Sequence, residues 1–326
     1  MTRTNFAWIA LVVATPFASG CRSSDSSTTT DGHAATDSKS ADGAGSNADA
    51  CTSYASSTVA AMRMGTHTGC FELNTVTIGT TPSTKNPDLF IQDPAGGDFS
   101  AIMTKCESTS TTHPCSVAAT VAALPDGHSV TVKGTYIKTA STTFEEFFID
   151  SVTDNGAATA PAPAAATLAQ IERGSTATNL RFQHVTLTIA AADTLKMYDF
   201  SPSEFADTSA TSCPYQDGFG MIPTSVTGVA DGAACAGSAA QPAGQTTPNA
   251  AEVLIGTDFY SGFTLSSDCR CAKTFTDMEP SATSTLVGAI GGILVFDVPF
   301  NGTTGYYYLD PKVAADAPIT NTVAGM

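Results

Sequence analysis

Cysteines are the residues whose number and spacing point most directly to chemistry in this sequence. Nine are present, and all but Cys21 fall into two groups of four around a Pro-Ala-rich stretch at 157–166. An even number is typical of a disulfide framework in a chain that leaves the reducing cytoplasm. We therefore predict disulfides that do not cross this stretch. The eight candidates are Cys51, Cys70, Cys106, Cys115, Cys213, Cys235, Cys269 and Cys271.

The first four of these cysteines allow two short closures. Cys106 and Cys115 flank a polar loop. Closing so short a loop stabilises a fold by about 2 to 3 kcal/mol in the entropic model of disulfides. A bridge between Cys51 and Cys70 then follows by elimination, and both bridges hold the first half of the chain to itself.

The second four cysteines leave their connectivity open. Cys269 and Cys271 are too close for an easy mutual bridge, because a strand points both side chains the same way. Each is expected to pair with Cys213 or Cys235. A metal or redox site at the Cys269 and Cys271 pair is the alternative. The absence of a CxxC spacing and of a nearby histidine favours disulfides.

Histidine and carboxylate patterns indicate no catalytic site. None has the GxSxG, HExxH or Gly-rich spacing that positions a nucleophile, a metal or a phosphate. The acidic run at 199–207 lacks the order of an EF-hand loop, so we interpret it as a solvated loop rather than a calcium site. We predict no cofactor and no bound metal. The histidines lie in a polar amino-terminal segment, in turn-like stretches or in a strand, at His33, His67, His113, His128 and His184.

The amino terminus has the three regions of an export signal. Arg3 precedes an apolar run at 6–15 that is too short to span a bilayer, and the small residues Ser19 and Gly20 follow. A cysteine at this place resembles the lipobox of bacterial lipoproteins, although Ala18 stands where leucine is usual. The resemblance implies that residues 1–20 are removed and that Cys21 is acylated. A secretory leader with an incidental cysteine is the alternative.

The segment after Cys21 is predicted to be a tether. Residues 22–50 are rich in Ser, Thr, Asp, Gly and Ala and include no large apolar residue, so they cannot bury enough surface to fold. A flexible chain of this length spans about 30 Å. Residues 21–50 are thus expected to hold the rest of the chain clear of the membrane surface.

The remainder carries an internal repeat. With a shift that places residue 58 on residue 167, the segment 58–65 falls on 167–174, and the match continues without a gap from 71–78 to 180–187. Apolar type and spacing are kept throughout, which indicates a duplicated unit. The end of each half also corresponds, because 147–150 resembles 307–310.

Strand-like runs in the first unit predict a small barrel. They lie at 71–78, 89–92, 100–104, 129–136 and 144–152, with a strong turn at 93–97 and a short helix at 117–123. Five strands in a Greek-key barrel, with a helix before the fourth strand, are the OB-fold pattern.

The runs at 89–97 and 129–134, followed by the Pro-Ala-Pro linker into 167–169, resemble the tandem OB-fold regions of secreted bacterial nucleases and related lipoproteins. The resemblance covers about 51–320. It implies an all-β chain with two tandem five-stranded OB-like Greek-key barrels, at 51–156 and 167–326. The second barrel departs from the pattern through a long insertion at 208–251. In those nucleases a separate domain is catalytic, so the resemblance implies a fold and no active site.

Ligand-binding residues are expected on the face of the second and third barrel strands, which OB-folds use with the flanking loops. If Leu89 and Ile91 point inward, Phe90 and Gln92 point outward, and Lys133 is the cation near them. These three are the candidate ligand contacts. Packing of Phe90 against the neighbouring unit or a loop is the alternative. The tyrosines at 306–308 are predicted to form a final strand, with a sugar platform as the alternative.

The acidic net charge of the chain bears on which class of partner it binds. The chain has 14 Lys and Arg against 30 Asp and Glu, a net charge of −16, which disfavours nucleic acid as a partner. We expect a non-catalytic binding or scaffolding protein of the cell envelope, lipid-anchored in the outer membrane, with a glycan or protein partner. The alternatives are an accessory factor or metal-dependent enzyme acting on extracellular nucleic acid, and a structural envelope protein without a small ligand.

Overall fold

Alternating apolar and polar residues fold as strands in the computed structural model. Contacts between residues divide the chain into 1–30 and 31–326, and every described residue belongs to the second unit. The structure describes residues 51–65, 68–81, 83, 86–108, 110, 113–138, 145–190, 194–199, 218–227, 249–256, 259, 284–286, 288–297, 305–312, 316 and 319–321. The predicted leader, Cys21 and the tether lie outside these residues.

The first half has the five long strands that the sequence predicts. Their apolar residues alternate toward one interior, as in β5, where every second residue from Val130 to Tyr136 is buried. The predicted short helix is also confirmed, as α2. The elements are β1 (Ala55–Ser57), α1 (Val59–Met64), β2 (Gly69–Thr80), β3 (Asp88–Gln92), β4 (Ala101–Lys105), α2 (Ala118–Ala122), β5 (His128–Lys138) and β6 (Glu145–Ala157).

These strands close into a mixed five-stranded barrel. The order is β2-β3-β4-β6-β5, and β5 pairs with β2 to complete the ring. All pairs are antiparallel except β4 with β6. The strand β2 spans two neighbours, since its first part pairs with β5 and its last part with β3. A closed ring leaves no unpaired edge among the five strands. We call it the first barrel.

A short amino-terminal segment lies on the first barrel. The strand β1 pairs with β2 in parallel, and α1 follows at once with Thr58 as its N-cap, whose side chain accepts from Ala61 N at 3.0 Å. The carboxylate of Asp93 accepts from Val59 N at 2.8 Å and from Ala60 N at 2.9 Å. Asp93 is thus a second cap beside Thr58. Its carboxylate accepts from N–H groups that have no partner within the helix, and a negative charge is favourable at this end of the helix dipole.

The second half forms one nine-stranded sheet, in the order β15-β12-β9-β10-β11-β14-β13-β8-β7. Two predicted segments contain strands of this sheet: β7 lies in the linker, and β10, in the predicted insertion, is a central strand. The elements are β7 (Ala164–Ala165), α3 (Leu168–Ile171), β8 (His184–Ile189), β9 (Leu195–Asp199), β10 (Gly218–Pro223), β11 (Val253–Gly256), β12 (Ser284–Leu286), β13 (Gly288–Asp297), β14 (Tyr306–Asp310) and β15 (Ile319–Asn321).

Strand pairing in the two halves follows one pattern. In the second sheet β8 pairs with β13 and β9 with β10, as the two parts of β2 pair with β5 and β3. Apart from the pairs made by β1 and β7, one parallel pair is described in each half, β4 with β6 and β11 with β14. Each half also begins with a short parallel strand, β1 or β7, followed by a helix.

The register corrects one detail of the predicted repeat. Ala55 pairs with Phe71, and Ala164 pairs with Val185. The short strands thus correspond with the predicted shift of 109 (55 to 164), whereas their partners differ by 114 (71 to 185). Five extra residues lie between α3 and β8, so the match is not continuous. The alignment by residue type missed this because apolar residues on both sides of the gap keep similar spacing.

Two disulfides join the cysteines of the first half in the predicted pairs. Cys51 is bonded to Cys70, and Cys106 to Cys115. The other four candidates, Cys213, Cys235, Cys269 and Cys271, lie outside the described residues. Within the described part of the chain, no helix has both the length and the apolar character needed to cross a membrane.

Candidate functional site

The predicted ligand face of β3 is covered by the second half of the chain. Phe90 is only 2% exposed. Its ring meets that of Phe182 with centroids 6.4 Å apart and that of Phe259 at 5.2 Å. The side chain points out of the first barrel, as predicted, but into the contact with the second sheet. This is the alternative that the sequence left open for Phe90.

Polar and small residues complete this contact. Gln92 is 1% exposed, and its Nε2 donates to Ser100 Oγ at 3.1 Å and to Gln183 Oε1 at 3.5 Å. Gly79, which pairs with Phe90, lets the second sheet approach closely, because an added Cβ would lie 2.7 Å from Ile293 Cδ1. The face on which ligand contacts were predicted is therefore an internal contact here.

Lys133 lies on a different surface from Phe90. It is on β5, where it pairs with Glu72 of β2, and its Nζ is 2.9 Å from Glu72 Oε2. The ammonium also lies 5.6 Å from the ring centroid of Tyr54. The structure thus separates the three predicted ligand residues, with Phe90 and Gln92 buried and Lys133 half exposed.

The surface around Lys133 is a polar face of the first barrel, which we call the outer face. Most of its side chains come from alternate positions of β2, β5 and β6, because residues two apart on a strand share a face. Tyr54 precedes β1, and Asp150 lies at the register shift of β6. Most of its members carry hydroxyl or amide groups, and all are partly or fully exposed. Its members are Tyr54, Glu72, Asn74, Thr131, Lys133, Asp150, Ser151, Thr153 and Asn155.

Hydrogen bonds organise the outer face across the strands. Thr131 Oγ1 donates to Asn74 Oδ1 at 2.8 Å, and Asn155 Nδ2 donates to Thr131 Oγ1 at 3.1 Å. Tyr54 donates its hydroxyl to Asp150 Oδ2 at 3.1 Å. Burial, followed by this contact with a carboxylate, raises the pKa of the Tyr54 hydroxyl. Amides keep further donors and acceptors beyond these bonds, so the face can bind a polar, hydroxyl-rich ligand.

Arg63 forms a buried polar centre between the first barrel and the second sheet. It is 1% exposed, and its Nε lies 2.6 Å from Glu145 Oε2. The guanidinium stacks near the rings of Phe99 and Phe182, 5.5 and 5.6 Å from the centroids. A charge buried this deeply needs both a counter-ion and hydrogen-bond acceptors. The acceptors are the carbonyls of Ala101 at 2.8 Å, Thr178 at 3.2 Å and Arg181 at 3.3 Å.

A second buried arginine lies in the second half, in the turn before β8. Arg181 is 3.6 Å from the centroid of the Phe296 ring and donates Nε to the hydroxyl of Tyr307, which donates to Ala177 O. Burial raises the pKa of Tyr307, although Arg181 acts against it. Tyr306, Tyr307 and Tyr308 are all buried in the strand β14. The predicted strand is thus confirmed, although β15 follows it and it is not the last. A sugar platform on these rings is corrected, because packing on both faces of β14 removes them from solvent.

The described histidines differ in their surroundings. His128 Nδ1 lies 2.9 Å from Asp154 Oδ1, His184 Nε2 lies 3.5 Å from Asp316 Oδ1, and the His113 ring stacks on that of Phe148. Backbone donation from Gly156 and the bond to His128 lower the pKa of Asp154. His128 and His184 each lie beside a carboxylate, as the general base of a catalytic site often does. Their described ring contacts include no hydroxyl or thiol that could act as a nucleophile. Within the described part of the chain, no three His, Cys, Asp or Glu residues lie together as metal ligands would.

Sequence reasoning missed the buried arginines. In α1 the buried residues are Val59, Met62 and Arg63, which is the i, i+3, i+4 stripe of a helix that packs on one face. An arginine inside such a stripe is the signal that could have identified it. Its counter-ion Glu145 is 82 positions away, and no pattern in the sequence joins the two.

No protein-family model and no curated protein matches the chain. Among solved structures, an OBody bound to hen egg-white lysozyme is 18% identical over 28% of this chain and 84% of that chain, with a TM-score of 0.23. A protein described as an aspartyl-tRNA synthetase from Leishmania major Friedlin is 12% identical over 40% of this chain and 26% of that chain, with a TM-score of 0.27. TM-scores this low carry no information on function.

Proposed function

We propose that this chain is an exported, lipid-anchored protein of the cell envelope whose two OB-like barrels act as one rigid, non-catalytic binding or scaffolding module. The burial of Phe90 and Gln92 against the second sheet carries the proposal. An OB ligand face used for internal packing holds the two halves at a fixed spacing, and it leaves the outer face to meet a partner.

Strand pairing supports tandem OB-like barrels. The first barrel has the closed order and the single parallel pair of a five-stranded Greek key, with α2 before its fourth strand. In the second half, β8 and β9 together take the place of β2, and β10, β11, β13 and β14 follow the same path. The flanking strands β12 and β15 are additions to that path.

The outer face supports a glycan or protein partner over a nucleic acid. Its side chains are mainly hydroxyls and amides, and its one lysine is paired with Glu72. A nucleic acid binds to a surface with several Lys or Arg residues, because these displace counter-ions from its phosphates. This chain instead carries a net charge of −16. A neutral hydroxyl-rich ligand, or a protein with a polar surface, fits the hydrogen bonds of this face.

Binding to glycan and single-stranded nucleic acid arrays tests the module. The oxidised chain is compared with an Asn74→Ala/Asn155→Ala variant, which removes two exposed amides of the outer face, and with Met64→Ala as a matched control. Met64 is 62% exposed on α1 and lies outside the outer face. We expect saturable binding to glycans that the double variant loses and the control keeps.

Other outcomes of this experiment redirect the proposal. Binding that survives Asn74→Ala/Asn155→Ala places the site elsewhere. Silence on the glycan array, with capture of a defined envelope protein through the outer face, supports the scaffolding role alone. Binding to single strands, or metal-dependent hydrolysis of DNA by the purified chain, supports the accessory factor or enzyme instead.

The lipid anchor requires its own test. Cells that express the chain are labelled with radioactive palmitate, and their membranes are separated. We expect the label in the full chain and not in a Cys21→Ser variant, which should leave the membrane fraction. Equal labelling of both chains would contradict acylation at Cys21.

A further inference from the structure

The segment 51–65 joins the tether sequence to the first barrel, and its backbone attachment is weak. The strand β1 pairs with β2 at three positions, Ala55, Ser56 and Ser57. In contrast, β2 pairs with β5 at eight positions from Gly69 to Val76. If a force on the preceding chain acted directly on β1, only these three paired positions would resist the separation of β1 from β2.

This weakly paired segment carries one of the contacts that join the two halves. Arg63 lies at the end of α1 and reaches the carbonyls of Thr178 and Arg181 in the second half. Asp93 holds the start of the same helix through Val59 and Ala60. Loss of β1 and α1 from the barrel would withdraw Arg63 and leave Glu145 buried without its counter-ion.

We propose that the Cys51–Cys70 disulfide is a mechanical clamp that carries load from the tether directly into β2 and shields β1 and α1. The bond joins the first residue after the tether sequence to a residue of β2, which pairs with β5 at eight positions. Cys51 Sγ also lies 3.2 Å from Thr135 Oγ1 on β5. A covalent link between residues 51 and 70 bypasses every residue between them.

The clamp rests on the proposed function, because only an anchored chain is loaded through its amino-terminal segment. It deepens that function by assigning the place where the anchor pulls. The Cys106–Cys115 disulfide closes a loop within the barrel, at β4 and before α2. It lies outside the segment between tether and β2, so it serves as a matched control.

Single-molecule pulling tests the clamp on the oxidised exported form, residues 22–326, through peptide handles at its two ends. In the wild type we expect no extension from residues 51–70 before the barrel unfolds. The Cys51→Ser/Cys70→Ser variant should show an early, low-force extension. Its length follows from a separation of 19 residues and a folded Cα–Cα distance of 5.9 Å, which gives up to about 60 Å.

The Cys106→Ser/Cys115→Ser variant is expected to lack the early extension. An early extension in the oxidised wild type, or its absence in the Cys51→Ser/Cys70→Ser variant, would overturn the clamp. If that variant does not fold, the same molecule of wild type is pulled before and after a thiol reductant is added, with the Cys106→Ser/Cys115→Ser chain alongside. No lipid is involved in pulling, so a failure of palmitate labelling at Cys21 is distinguishable from a failure of the clamp.

Discussion

The guanidinium of Arg63 donates through Nη1 to the backbone carbonyl of Arg181 at 3.3 Å, across 118 positions of the chain. Arg63 belongs to the helix on the first barrel, and Arg181 precedes the first long strand of the second sheet. The bond is one of several by which a buried charge uses carbonyls from both halves. It fixes the placement of α1 because each acceptor is a backbone group that cannot turn away.

Replacing Arg63 with leucine should strongly destabilise the chain. The substitution leaves Glu145, whose side chain is 7% exposed, without its counter-ion, and it removes the donor from three backbone carbonyls. Breaking a buried ion pair from one side costs about 3 to 5 kcal/mol. The free energy of unfolding in urea measures the loss.

Two further variants separate burial from charge in this result. An Arg63→Leu/Glu145→Leu chain should recover part of the loss, because no carboxylate is then buried without a partner. Lys133→Leu breaks the half-exposed pair with Glu72 and should cost less than about 1 kcal/mol. An equal loss from Arg63→Leu and Lys133→Leu would contradict a buried role for Arg63.

Phe90→Ala should leave a cavity in the contact between the first barrel and the second sheet. The ring is 2% exposed and packs on Phe182 and Phe259, and truncation of a buried phenylalanine costs about 3 to 5 kcal/mol. Urea unfolding measures the change. Met64→Ala, at an exposed position, should stay within about 0.5 kcal/mol. If Phe90→Ala were as mild as that control, Phe90 would be free for a ligand after all.

Strands were far more predictable than the contacts that join them. Val130, Val132 and Tyr136 are inward-facing positions of β5, and their alternation is local information that a sequence shows directly. The outward direction of Phe90 was predicted for the same reason. The residues that cover Phe90 were not predicted, because Phe259 lies 169 positions away (90 to 259) and long-range packing leaves no spacing pattern. Strand β10 was missed because its residues are buried on both faces, so they show no alternation.

The two described disulfides should stabilise the chain unequally. Their sequence separations are 19 for Cys51–Cys70 and 9 for Cys106–Cys115. In the entropic model these closures contribute about 3.2 and about 2.6 kcal/mol, because the longer loop loses more freedom in the unfolded chain. Urea unfolding of the two Cys→Ser double variants gives the costs. The reverse order of costs would show that the unfolded-chain entropy is not the main effect.

Asp93 should make stability depend on pH in an unusual direction. Burial raises the pKa of Asp93 above its ordinary value of 3.8, although hydrogen bonds from Ala60 and Val59 act against this. For a carboxyl whose pKa is raised on folding, the stabilisation is present below pH 3.8 and is lost as pH rises through the folded pKa.

An Asp93→Asn variant lacks this titration and keeps one oxygen that can accept from the start of α1. The unfolding free energy of the variant, relative to the wild type, should therefore increase from about pH 3 to about pH 6. Urea unfolding of both chains across this range measures the difference. A difference that falls with pH would show that the two backbone donors outweigh burial and keep the carboxylate charged.

Asp154 should behave in the opposite way. The backbone N–H of Gly156 donates to its Oδ1 at 2.8 Å, and with His128 this holds the pKa of Asp154 below 3.8. Its stabilisation is present above pH 3.8 and is lost as pH falls through the folded pKa. Because Gly156 is the larger cause, His128→Ala should raise the pKa of Asp154 and still leave it below 3.8. Carboxyl carbon shifts followed by NMR titration measure both chains, and a return to 3.8 in the variant would make the His128 ring the main cause.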